Sequence, residues 1–128
     1  MNTVSLPGGT DRSRIAVMVM KLFKHWQLTT AAQLSLLGLS PSNRATLSRY
    51  RKGEPLANDR DKLERAGILL SIHKSLRLLF PEHRELAYGW MTRPNQAFEG
   101  ATPVEVIDEQ GMMGLYAVRA YLDHQRGR

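Results

Sequence analysis

Apolar residues recur along this chain at intervals of three and four, the spacing of a helix laid against a core. Ile15, Met18, Val19, Leu22, Phe23 and Trp26 keep that period and predict a helix over about 12–26, with Asp11 or Ser13 as its cap. Before it, Leu6-Pro7-Gly8-Gly9 is a breaker cluster that marks residues 1–10 as a mobile arm. A second helix is expected over about 30–37, ending at Gly38, and Ser40-Pro41 reads as an N-cap with proline opening a third. That third helix stops near Gly53-Glu54-Pro55. The longest helix runs over about 60–80, capped by Asn58 or Asp59 and closed by Pro81. Its apolar face comprises Leu63, Ala66, Leu69, Leu70, Ile72, Leu76, Leu79 and Phe80. A helix over about 82–91 precedes a turn at Arg93-Pro94-Asn95. Thr102-Pro103-Val104-Glu105 combines a capping box with proline at the first helical position. Gly111 then separates that short helix from a last one over about 113–124, with Leu115, Val118 and Leu122 inward.

No segment alternates apolar and polar residues between hairpin turns, so the expected fold is all-α. It comprises an N-terminal helix-turn-helix bundle over 11–57, then over 58–128 a long connecting helix and a small helical C-terminal domain. Composition narrows the function classes. Cysteine is absent from the 128 residues, which excludes disulfide frameworks, thiolate catalysis and Cys-type zinc sites. With no long apolar run and no signal-like N-terminus, a cytoplasmic protein without a membrane role is expected. The net charge of +6 lies wholly in residues 1–65, and residues 66–128 are neutral. One half therefore suits a polyanion and the other does not.

In a helix-turn-helix the second helix of the pair enters the major groove. Thr30–Lys52 has that layout, with Gly38 in the turn and Leu47 and Tyr50 as the inward pair of the recognition helix. Asn43 falls on the same side as that pair. Ser42, Ala45, Ser48, Arg49 and Lys52 point outward, and Arg44, Thr46 and Arg51 flank them. Arg49 and Ser42 are placed for base edges, whereas Arg44, Arg51 and Lys52 suit phosphates. Leu47 lies nine residues after Gly38, about one turn more than is usual. The surplus either lengthens the recognition helix or lengthens the turn, with Asn43 then the cap. A solvated basic helix in a small bundle is the plainer alternative for the cationic cluster.

Catalysis finds no support in the residue pattern. His25, His73, His83 and His124 are far apart and none sits in a metal-binding spacing; His73, on the long helix, reads as a partly buried, satisfied histidine. Gly8-Gly9 follows no strand, so no nucleotide loop is indicated and no cofactor is expected.

The order Trp90, Pro94-Asn95, Phe98, Gly100, Pro103, Gly111, Val118, Leu122 resembles the C-terminal toxin-binding domain of the Xre/MbcA/ParS antitoxin family. Arg49–Phe80 also resembles that family's junction between DNA-binding and toxin-binding parts. The resemblance implies an antitoxin that inhibits a cognate toxin, commonly a RES-domain enzyme consuming NAD, and represses its own operon by binding operator DNA. Any NAD chemistry then belongs to the toxin. The toxin contact is expected on Trp90, Arg93, Asn95, Phe98, Tyr121 and the tail Gln125, Arg126, Gly127 and Arg128, whose two arginines on a free end can reach into an anionic cleft. A homodimer is expected, built on the long helix and C-terminal domain, because two-fold operators call for two-fold proteins. The competing class is a stand-alone helix-turn-helix regulator whose C-terminal half only dimerises.

Overall fold

The computed structural model describes residues 9–127. These form seven α-helices: α1 (Gly9–His25), α2 (Thr30–Leu36), α3 (Arg44–Arg51), α4 (Arg60–Leu79), α5 (Arg84–Gly89), α6 (Pro103–Gln110) and α7 (Met112–Gln125). Two 3-10 turns, Trp90–Thr92 and Gln96–Phe98, lie between α5 and α6. No strand occurs among the described residues, so the fold is all-α as the periodicity predicts.

Local chemistry accounts for the helix ends. The Thr29 hydroxyl accepts from the Ala32 N–H and opens α2, and the Asp59 carboxylate accepts from the Asp61 and Lys62 N–H groups to open α4. At α6 the capping box closes in both directions. The Glu105 N–H donates to the Thr102 hydroxyl at 3.0 Å, and the Thr102 N–H donates to the Glu105 carboxylate at 2.7 Å.

Four expectations are corrected. Helix α1 begins at Gly9, so Gly9 and Thr10 belong to a helix and not to an arm; residues 1–8 lie outside the described residues. Met18 faces outward at 52% exposure, and Ala16 and Met20 fill the inward positions instead. Ser40-Pro41 does not open the third helix; of the two alternatives for the surplus residues after Gly38, the longer turn is the one found. The Ser40 hydroxyl pairs with the Ser42 hydroxyl at 2.7 Å and the Asn43 N–H donates to the Ser40 carbonyl, so α3 starts only at Arg44. Asn43 is the N-cap by position, makes no side-chain cap bond, and is exposed where the sequence reading puts it inward.

The buried side chains form one continuous cluster running from Ala16 on α1 to Leu122 on α7. Helix α4 is its spine, with α1, α5 and α7 packed along it, while α2 packs on α6. The core therefore crosses residue 58, where the sequence reading divides the chain. A side-chain bond from the Ser35 hydroxyl on α2 to the Asp108 carboxylate on α6, 2.6 Å long, joins the two halves at the surface. Helices α6 and α7 approach so closely that a β-carbon at Gly114 would lie 2.7 Å from the Val106 carbonyl oxygen. Only glycine fits there.

Candidate nucleic-acid and partner surfaces

Helix α3 is held by its two buried residues, Leu47 and Tyr50, with α1 behind it. The Tyr50 hydroxyl accepts from the Ala57 N–H, so the same residue anchors the loop leaving the helix. Arg12 fixes that loop to α1, its guanidinium donating to the Leu56 carbonyl at 2.9 Å and its own carbonyl accepting from the Leu56 N–H. With its back fixed, α3 presents Arg44, Ala45, Arg49, Arg51 and Lys52 to solvent, and Ser48 is half-buried. Ser42 is exposed too, but sits in the turn before the helix, with its hydroxyl already paired.

Arg49, the side chain expected at base edges, is held by two neighbouring side chains. It donates to the Thr46 hydroxyl at 3.0 Å and lies 3.8 Å from the Glu54 carboxylate. Both partners of the ion pair are more than half exposed, so the pair is weak, worth up to about 1 kcal/mol, and opens readily for a stronger acceptor. The i, i+3 spacing of Thr46 and Arg49 is the signal that could have revealed this.

On the other half, three of the expected toxin-contact residues converge from separate segments. Trp90 stacks on Tyr121 at 6.1 Å between ring centroids and 16° between planes. Phe98 meets both rings edge-on, at 5.4 Å from Tyr121 and 6.4 Å from Trp90. All three are half-buried, so the cluster seals the core and still shows ring surface to solvent. Asn95 shapes the turn that brings Phe98 in. Its side chain accepts from the Ala97 N–H at 2.9 Å, and its backbone bonds to Phe98, Gly100 and Ala101. Arg93 points elsewhere, folding back over Gly89 to donate to the Glu85 carbonyl at 3.4 Å.

The tail is more ordered than the sequence reading expects. Gln125 ends α7, Arg126 is its C-cap, and Gly127 turns with φ +79°. The Arg126 guanidinium donates to the hydroxyl of Ser75, a buried polar residue of α4, at 3.0 Å. Arg126 is thus tied to the body and not on a free end; Arg128 lies outside the described residues.

His73 is partly buried, as expected, but not satisfied: its Nδ1 has no hydrogen-bond partner. It lies parallel to Tyr88 at 6.0 Å, and His25 stacks on the same ring at 4.6 Å. Burial, and after it the Arg77 and His25 charges, hold the His73 imidazole below its ordinary pKa. Among the described residues no group of three or more His, Asp or Glu is placed to hold a metal, and no helix is long and apolar enough to cross a membrane.

A three-helix unit with an exposed cationic third helix, fused through α4 to a helical unit with an aromatic face, defines a helix-turn-helix protein with an attached helical module. Comparison with known proteins makes the class specific. The antitoxin Xre-like helix-turn-helix domain matches residues 11–70, and the antitoxin Xre/MbcA/ParS C-terminal toxin-binding domain matches residues 75–128. The chain is also 37% identical over 122 residues to uncharacterized protein y4oB of Sinorhizobium fredii (strain NBRC 101917 / NGR234), covering 92% of this chain and 91% of that one. This chain belongs to the Xre/MbcA/ParS family of antitoxins, with a toxin-binding domain following its helix-turn-helix domain.

Proposed function

We propose that this protein neutralises a RES-domain, NAD-consuming toxin through its C-terminal half and represses its own operon through α3. The observation that carries the toxin half is the convergence of Trp90, Phe98 and Tyr121 into one half-buried aromatic face. Interface cores are enriched in aromatic side chains and depleted in charge, and residues 66–128 are neutral overall. Asn95 holds this face in shape, and the toxin contact takes in Gln125, Arg126, Gly127 and Arg128 as well. Inhibition needs only occupancy of the toxin's cleft, so this chain supplies no chemistry and no cofactor.

On the DNA side, Arg49 reads a base edge once released from Glu54, with Ser42, Ala45 and Ser48 beside it. Arg44, Arg51 and Lys52 neutralise phosphates. The working unit is a cytoplasmic homodimer on a two-fold operator, with the domain boundary near residue 58. Co-purification tests the toxin half: the tagged chain, expressed with the product of the neighbouring reading frame, retains that product through a high-salt wash. Loss of the product at every salt concentration contradicts the reading.

A further inference from the structure

A cleft of about 450 Å³ opens where the end of α1 meets α5 and the 3-10 turn after it. Its walls come from both halves of the chain: His25 and Trp26 from the DNA-binding side, Arg84, Glu85, Thr92 and Arg93 from the other. Hydrogen-bond donors dominate this lining, and Glu85 is its one acid. Arg84 is exposed and makes no ion pair or hydrogen bond with any described residue. Trp26 forms part of the wall and is only 1% exposed. The Tyr88 stack holds the His25 ring in place, which gives one wall a flat, fixed surface.

We infer that this cleft binds a small phosphorylated molecule bearing a planar ring, of the mononucleotide class. Arg84 and Arg93 take the phosphate, because guanidinium groups match its oxygens with charge-assisted bonds. His25 flanks the ring, and Trp26, buried in the cleft wall, lies close enough to report an occupant. A volume of about 450 Å³ falls in the range of small-molecule sites and exceeds what a lone phosphate fills. Since the walls belong to both halves, an occupant braces α1 against α5. This inference does not depend on the toxin's identity or on operator binding.

The experiment uses the full chain carrying Trp90→Phe, which leaves Trp26 as the sole tryptophan. Its fluorescence is followed during titration with AMP, and separately with adenosine. AMP gives a saturable change with Kd of about 1 mM or tighter, raises the melting temperature, and is displaced by inorganic phosphate. Adenosine binds more weakly. Arg84→Ala, at an exposed and unpaired position, keeps the helical spectrum and weakens AMP by roughly tenfold or more. Lys52→Ala, on the DNA face, leaves AMP binding unchanged. Absence of saturation, equal affinity for adenosine and AMP, or an Arg84→Ala protein that binds AMP as tightly as its parent overturns the inference. Loss of AMP binding in Lys52→Ala also overturns it, by assigning the phosphate to the DNA face.

Discussion

Arg65 of α4 lies across Gly38, its Cζ and Nε both 2.7 Å from where a β-carbon on that glycine would stand. The Arg65 side chain is held by the Asp61 carboxylate at 3.1 Å and reaches the Leu36 carbonyl at 3.5 Å. Gly38 has φ +68° and turns the chain out of α2. One residue pair therefore joins the turn of the DNA-binding unit to the spine of the molecule. Gly38→Ala meets both a left-handed backbone and the guanidinium, and should destabilise by about 1–3 kcal/mol in urea unfolding. Adding Arg65→Ala removes the collision, so the double variant should lose less than the sum of the singles.

Arg126 and Ser75 make a second testable pair. Arg126→Ala strands a buried hydroxyl and should cost about 1–2 kcal/mol. Ser75→Ala alone should cost less, because Arg126, at the helix end, regains water. Chemical denaturation of the two singles and the double gives the coupling energy; a value indistinguishable from zero refutes the tie. The same bond means that trimming the chain after Asp123 should lower stability.

Acid should weaken the fold through His73. Its folded pKa lies below the ordinary value, so the unfolded chain takes up the proton first as pH falls. Stability present above about pH 6.5 is then lost as pH falls through that value toward the folded pKa. Asp61 acts lower down: its bond from Lys62 and the Arg65 charge depress its pKa against the opposing effect of burial. Its contribution is lost only as pH falls through the carboxylate range. Thermal melts between pH 7.5 and 5.5 should show a falling midpoint, flattened in His73→Gln. An unchanged slope in that variant contradicts the assignment.

The helices were legible because capping and periodicity agreed. Thr102 and Glu105 announce α6, and Gly38 ends α2, each by chemistry local to a few residues. Ser40-Pro41 misled because the same residues also suit a tight turn, and the Ser40–Ser42 bond selects the turn. The aromatic partners Trp90, Phe98 and Tyr121 were legible as residues through the family resemblance, but not as one cluster. Their meeting depends on how α7 lies along α4, which no local spacing encodes. Arg126 on Ser75 and Arg65 over Gly38 were invisible for the same reason: each spans more than 25 residues of sequence. His73 looked satisfied because sequence shows burial but not the missing partner at Nδ1.

On the DNA face, Lys52→Ala should weaken binding to all sequences alike and reduce the salt slope by about 0.9. Arg49→Ala should also relax preference at one base by about 1–3 kcal/mol. Glu54→Ala frees Arg49 from its ion pair and should tighten binding slightly, by no more than about 1 kcal/mol. Gel-shift titrations on the protein's own promoter, repeated at several salt concentrations, separate these outcomes. Salt-independent binding contradicts a phosphate role for Lys52.

The most direct test of a two-ended antitoxin is growth rescue against the neighbouring toxin, with cellular NAD measured alongside. Tyr121→Phe should keep the ring stack and rescue fully, whereas Tyr121→Ala should lose rescue while its helical spectrum and promoter binding persist. Arg49→Ala/Lys52→Ala should lose promoter binding yet restore growth and NAD. If the DNA-face variant fails to rescue while Tyr121→Ala protects as well as the parent, the toxin is not held by the Trp90–Phe98–Tyr121 face, and the central claim is wrong.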